Sequence, residues 1–155
     1  MSNRWPAASF VSLCIALTVL VSGEANGEGK PKLMKQLTEA IAKVRTEMTL
    51  DTRTQAAEHL ANLTLRMDPS EVDDKTLGDL ISLLATSEDS VRAWVAVSLG
   101  NLGPRAKKAV PKLLSILAEV DCLQVDLSSA PAIRVALTRM GVKPPPEPTC
   151  GSAKK

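Results

Sequence analysis

The chain has 155 residues, a formal net charge of +2 and only 2% aromatic residues. Its length suits one domain, and a hydrophobic fraction of 45% is too high for a fully disordered protein. The balanced charge, with no basic stripe, argues against nucleic acid as a partner, and a core so poor in aromatic residues favours packed helices over a β-sandwich.

Residues 1–26 have the layout of a secretory signal peptide. Arg4 precedes an uncharged apolar run, FVSLCIALTVLVSG, at residues 10–23, and small residues follow it. The run is shorter than the roughly 20 residues that a membrane-spanning helix needs. We predict cleavage after Gly23, Ala25 or Gly27 and export to the periplasm or the medium, without a membrane span in the processed chain. The alternative is an uncleaved N-terminal membrane anchor.

Export determines how the cysteines are interpreted. Cys14 would leave with the signal peptide, so Cys122 and Cys150 would remain as an even pair in an oxidising compartment. A disulfide bond between them would close a loop of about 29 residues and stabilise the fold by roughly 3–4 kcal/mol in the loop-entropy model. We expect this bond; the alternative is two free thiols.

From residue 30 onward, apolar residues recur at helical spacing, and no window alternates with the period of two that is typical of a strand. Polar, glycine and proline residues divide this region into six predicted helices. Their approximate bounds are 30–48, 52–66, 71–86, 90–102, 107–120 and 129–140. A proline-rich tail, residues 142–155, follows the predicted domain of residues 27–141.

Several residues mark the predicted helix ends. Ser87 or Asp89 is expected to cap the fourth helix, and Ser128 or Ser129 the last one. Gly103 can take the left-handed conformation that ends the fourth helix, and Pro104 cannot continue it. The fifth helix is either kinked at Pro111 or begins there.

The sequence repeats itself with a period near 40. LANL at residues 60–63 aligns with LGNL at residues 99–102, an offset of 39. A weaker third copy, at an offset of 38, matches Leu137, Met140 and Gly141 with Leu99, Leu102 and Gly103. Two helices per unit at this period indicate a helical solenoid, in which neighbouring units bury each other's apolar faces.

The best-patterned copy is DSVRAWVAVSLGNLGPRAKKAVPKLLSIL, which starts at Asp89. It resembles a HEAT repeat, and in particular the HEAT-like class named after phycobilisome lyases. The resemblance implies an all-α fold, a short right-handed α-α solenoid of about three antiparallel helix pairs whose second helices line a concave face. It also implies that Asp89 and Arg92 form a structural pair, hydrogen-bonded between turns and helices. It does not imply lyase activity, because a fold is not a function.

One flank of the second helices is a candidate surface for a protein partner. Trp94 lies about 100° from the apolar stripe of its helix, and tryptophan is frequent among binding hot spots. The alternative is that Trp94 fills a gap between adjacent helix pairs. At the repeat offsets, this predicted ridge consists of Trp94, Ser98, Asn101, Gln55, His59, Asn62 and Arg139.

The sequence contains no recognisable catalytic or cofactor motif. The single histidine, His59, and the two cysteines of the processed chain lack the spacing of a metal site. We therefore expect a non-enzymatic scaffold that binds an unidentified protein outside the cytosol, without a cofactor or a metal. The alternatives are a helper subunit of a lyase-like enzyme and a purely structural module of a larger assembly. Self-association through an end of the stack is possible, because no polar cap is obvious in the sequence.

Overall fold

The structure, a computed structural model, describes residues 29–121 and 128–148. These residues are helical throughout their regular parts, with no strand among them, as the sequence predicts. The predicted signal peptide and both Cys122 and Cys150 lie outside the described ranges. The α-helices are α1 (Gly29–Thr46), α2 (Leu50–Arg66), α3 (Asp74–Ser82), α4 (Asp89–Asn101), α5 (Val110–Val120) and α6 (Ala130–Arg139). Across the described part of the chain, none of the helices is long and apolar enough to cross a membrane.

The third predicted helix starts later in the structure than the sequence indicates. A short 3-10 helix, Pro69–Glu71, comes first, and a second one, Leu83–Ala85, follows α3. Val72 and Asp73 are extended between the first of these and α3, and the Asp73 carboxylate caps α3 by accepting a hydrogen bond from the Thr76 amide at 2.6 Å. The helix predicted over about residues 71–86 therefore starts three residues later than expected, because Asp73 caps it.

The chain between α4 and α5 is a 3-10 helix, Gly103–Ala109. Gly103 has a φ of +52°, which ends α4 in the left-handed region that favours glycine. Pro111 lies in the first turn of α5, where the missing amide proton costs no helical hydrogen bond. The fifth helix thus begins next to Pro111 and is not kinked by it.

The start of α4 differs from the expected caps, whereas Ser128, one of the two residues expected to cap α6, bonds to its first amide. Glu88 occupies the N-cap position of α4 and makes no side-chain capping bond, so neither Ser87 nor Asp89 caps this helix. Before α6, the Ser128 hydroxyl accepts a hydrogen bond from the Ala130 amide at 3.2 Å. The Ser129 hydroxyl instead donates to the Asp89 carboxylate at 2.9 Å. Asp89 and Ser129 are therefore used for contacts between helices.

Helix α4 is the centre of the domain. It packs against α2 on one side and against α6 on the other, while α1 packs on α2 and α5 on α6. Leucine dominates the fully buried side chains, and Leu60, Leu99 and Leu137 occupy matching positions of the three copies. Burying side chains of this size contributes about 1.5–3 kcal/mol each relative to leaving them exposed.

Hydrogen bonds show that α2, α4 and α6 run parallel, side by side. Near the starts of the helices, Thr54 bonds to Ser90 at 3.0 Å and Ser129 to Asp89 at 2.9 Å. Near the ends, the Asn101 amide donates to the Ala61 carbonyl at 3.0 Å. Like ends of neighbouring helices are therefore in contact, and these three helices are called the second helices below.

Candidate functional site

The ridge predicted on the second helices is not one exposed surface. Ser98 is completely buried, and its hydroxyl donates to the Trp94 carbonyl at 2.9 Å. Asn101 is partly buried and donates to the Ala61 carbonyl and to the Thr64 hydroxyl, at 3.0 and 3.3 Å. On α4 this flank faces α2 instead of solvent, so a partner cannot reach Ser98 and the prediction of a continuous exposed ridge is wrong there.

Trp94 lies on the same flank of α4. It is one turn from Ser90, which contacts α2, and one turn from Ser98. Its side chain is half-buried and packs against the hydrophobic core. This placement fits the alternative in which Trp94 fills space between adjacent helix pairs, while part of the indole still reaches the surface.

The remaining members of the predicted ridge lie at the surface. Gln55, His59 and Asn62 are exposed on α2, and Gln55 donates to the Asp51 carboxylate at 3.0 Å. They are exposed because none of the described helices covers this flank of α2 in the way that α2 covers the equivalent flank of α4. At the other side, exposed Arg139 of α6 donates to the Asn101 side-chain oxygen at 2.7 Å.

A different column of residues faces solvent across the second helices. It consists of Glu58 on α2, Val97 on α4 and Val135 on α6, which occupy equivalent positions at the repeat offsets of 39 and 38. Glu58 is exposed, Val97 is half-buried and Val135 is 51% exposed. We call these three residues the central column. Val97 could have been identified from the sequence. On a helical wheel it lies opposite the buried stripe of Val91, Val95 and Leu99.

Asp89 and Arg92 form a compact polar cluster at the start of α4. The Arg92 guanidinium donates to the Asp89 carboxylate at 2.7 Å and to the Thr86 carbonyl at 2.6 Å. Ser129 of α6 donates to the same Asp89 oxygen. These bonds connect α4 to the turn before it and to the neighbouring second helix. The cluster therefore fixes how helices meet.

A second polar cluster connects α2 with the turn before α4. Arg53 donates to the Glu88 carboxylate and, at 3.0 Å, to the Glu47 carbonyl. The Thr86 hydroxyl also donates to Glu88. These hydrogen bonds, from Thr86 first and then from Arg53, lower the pKa of Glu88 below its ordinary value of 4.5 despite partial burial.

A shallow cleft lies beside this second cluster. Arg45 and Arg53 line it together with Ser82 and Thr86. Arg45 donates to the Asp79 carboxylate and to Ser82, both at 2.8 Å, and Arg53 is bound to Glu88. Both guanidinium groups thus already have anionic partners, so the cleft gives no indication of an anionic ligand.

Over residues 29–121 and 128–148, no group of three or more His, Cys, Asp and Glu side chains could hold a metal ion. The comparisons with known proteins found no matching family model, no matching curated protein and no matching solved structure. The described part of the chain offers polar clusters between helices and a partly apolar column facing solvent.

Proposed function

We propose that this chain is an exported, non-enzymatic scaffold of HEAT-like helix pairs that binds another protein through the solvent-facing side of its second helices. The observation that carries the proposal is the regular spacing of contacts between successive second helices. The solenoid, the export and the binding surface are each supported by separate observations.

The spacing of the hydrogen bonds supports stacked repeats. Asn101 contacts Ala61, 40 residues earlier, and Ser129 contacts Asp89, also 40 residues earlier. Arg139 contacts Asn101, 38 residues earlier. With Thr54 to Ser90 and Asn101 to Thr64 included, the bonds between neighbouring second helices join residues 36 to 40 positions apart. This range lies close to the repeat offsets of 39 and 38, as stacking of structural repeats predicts. A short right-handed solenoid is the arrangement we propose for them.

The central column supports the proposed binding surface. The apolar side chains of Val97 and Val135 are partly exposed to solvent, although the core residues on the opposite side of each helix are fully buried. Leu65 adds a side chain that is 68% exposed near the end of α2, and Trp94 borders Val97. Apolar contacts at the centre of a patch with polar residues around it are typical of protein interfaces.

Replacing Val97 with glutamate is expected to weaken partner binding at least tenfold without unfolding the domain. The new carboxylate would lose its hydrating water when the partner binds. Burying a charge without a partner costs more than roughly 1.4 kcal/mol, the free energy that corresponds to a tenfold change in affinity. The measurement is affinity isolation from the exported fraction, followed by titration of the isolated partner against each variant.

The matched control for this experiment is Lys35→Glu, on the exposed face of α1. It is expected to bind like the unmodified chain, and both variants are expected to keep the same helical circular dichroism. Equal partner binding by a folded Val97→Glu variant would reject this surface as the binding site. Turnover of a small molecule by the isolated chain would reject the non-enzymatic assignment.

The proposed disulfide bond is supported by Arg134. Its guanidinium donates both to the Asp121 carboxylate and to the Pro145 carbonyl. Asp121 directly precedes Cys122, and Pro145 is five residues before Cys150. One side chain thus joins the described ends of the two segments that lead to the cysteines.

The intact mass of the exported protein is expected to show both processing and the disulfide bond. The mass should correspond to a chain that begins after Gly23, Ala25 or Gly27. It should rise by about 2 Da on reduction, because two thiols replace one S–S bond. A full-length mass would reject processing by signal cleavage. A processed chain whose mass does not change on reduction would reject the bond alone.

A further inference from the structure

The segment after α6 lies back along that helix. Gly141, with a φ of +79°, turns the chain, and Val142 donates to the Leu137 carbonyl at 2.9 Å and packs on the core. Glu147 and Pro148 then line a shallow cleft together with Ala130 and Pro131, at the start of α6. Residues 142–148 are called the C-terminal strap.

The dimensions of the strap agree with this path. Helix α6 has ten residues and is about 15 Å long. Four of the seven strap residues are proline, and a polyproline-like segment of that length spans about 20 Å. The strap can therefore follow α6 from its end to its start. Between those two points, Arg134 of α6 donates to the Pro145 carbonyl.

The flank of α6 that carries Arg134, which bonds to the strap, is equivalent to the flank of α4 that packs on α6. At the repeat offset of 38, Arg134 takes the place of Ala96, and Thr138 takes the place of Gly100. Ala96 and Gly100 are buried, and a Cβ atom at Gly100 would lie 2.9 Å from the Ala136 Cα atom. Small residues thus let α6 approach α4, whereas α6 presents a large, charged side chain at the same place.

We propose that the C-terminal strap closes the helical stack by covering the flank of α6 on which a further second helix would pack. In doing so it prevents α2 of a second copy of this chain from docking there. The strap replaces a helix with a proline-rich segment, which cannot offer a continuous row of amide donors to another chain. The proposal rests on the stacking of the second helices, and it is independent of export and of the partner.

A second copy of this chain can occupy the flank of α6, because none of the described helices covers the complementary flank of α2. Gln55, His59 and Asn62 are equivalent to the α4 residues that contact a preceding second helix, and all three are exposed. Head-to-tail contacts of this kind are heterologous, and they extend into open filaments unless something blocks one end.

Removing the strap is expected to cause self-association. A chain that ends at Val142 should show a concentration-dependent mass of at least twice the monomer in sedimentation or light scattering under reducing conditions, while the unmodified processed chain stays monomeric. Adding Gln55→Arg to the truncated chain should restore the monomer, because it places a long, charged side chain on the flank of α2 that would dock. A folded, monomeric truncated chain would overturn the proposal, as would oligomers that Gln55→Arg does not affect.

A second variant keeps the test decisive if truncation prevents folding. Arg134→Ala retains the whole strap but removes its bonds to Pro145 and Asp121, so it should associate in the same way. The control is Arg66→Ala, at an exposed arginine of α2, which should remain monomeric. A helical Arg134→Ala variant that stays monomeric at every concentration would refute the strap as a block to association.

Discussion

Gly100→Ala is expected to lower the free energy of unfolding by about 1–3 kcal/mol, the usual cost of an extra methyl group in a packed interior. The new Cβ atom would lie 2.9 Å from the Ala136 Cα atom, which is closer than such atoms approach, and 3.2 Å from the Ala136 Cβ atom. Backbone atoms of α6 cannot rotate away as a side chain can. Helices α4 and α6 would have to separate, and the core on both sides of the contact would loosen.

An opposing effect makes a control necessary. Alanine stabilises a helix relative to glycine by up to about 1 kcal/mol. The measured loss of unfolding free energy is therefore the cost of the clash minus this gain in helix stability. The same substitution at Gly78 of α3 should show the gain in helix stability alone, because nothing lies within 4 Å of a Cβ atom at that position. Gly78→Ala should therefore raise the free energy of unfolding in the same urea titration. If Gly100→Ala stabilised the protein as much as Gly78→Ala, the close contact between α4 and α6 would be absent.

Helical periodicity predicted the number of helices and most of their bounds, because each depends on residues a few positions apart. The buried stripe of Val91, Val95 and Leu99 follows directly from the spacing of apolar residues. Left-handed conformations at Gly103 and Gly141 could be expected for the same local reason. The later start of the third predicted helix was missed because Asp73 offers a cap whose use depends on packing around it.

The candidate surface could be predicted only in part. A helical wheel places Trp94, Ser98 and Asn101 together on one flank of α4, and this is their position in the structure. The wheel does not reveal that α2 occupies the flank, which buries Ser98 and leaves Trp94 half-exposed. Val97, which lies opposite the buried stripe of the same helix and faces solvent, was not among the predicted surface residues.

Contacts between residues far apart in the chain are harder still to predict from the sequence. The bond from Ser129 to Asp89 and the two bonds of Arg134 depend on how helices stack and on where the C-terminal strap runs. Composition and spacing alone made Asp89 a candidate helix cap. Its carboxylate is instead the acceptor that joins α4 and α6, and this use can be tested directly.

Asp89→Ala is expected to lower the free energy of unfolding by about 1.5–3 kcal/mol, the range for hydrogen bonds to charged groups. The substitution leaves the Arg92 guanidinium without its counter-charge, although only 13% of that side chain is exposed. The Arg92 Nε atom is already buried without a hydrogen-bond partner, so this arginine depends on the contacts of its terminal nitrogens with Asp89 and Thr86. The Ser129 hydroxyl would lose its acceptor at the same time.

A double-mutant cycle separates the ion pair from the rest of the cluster. Arg92→Ala alone should also destabilise the domain, and adding Asp89→Ala to it should cost much less than Asp89→Ala does in the unmodified chain, since partners in contact are not additive. Glu39→Ala is the matched control. Glu39 and Lys35 form an exposed pair at 4.0 Å on α1, and such pairs contribute about 0.3–0.5 kcal/mol on a helix. Additive losses from Asp89→Ala and Arg92→Ala in chemical denaturation would show that the two side chains do not stabilise each other. In that case Asp89 would contribute to the domain chiefly through its contact with Ser129 of α6.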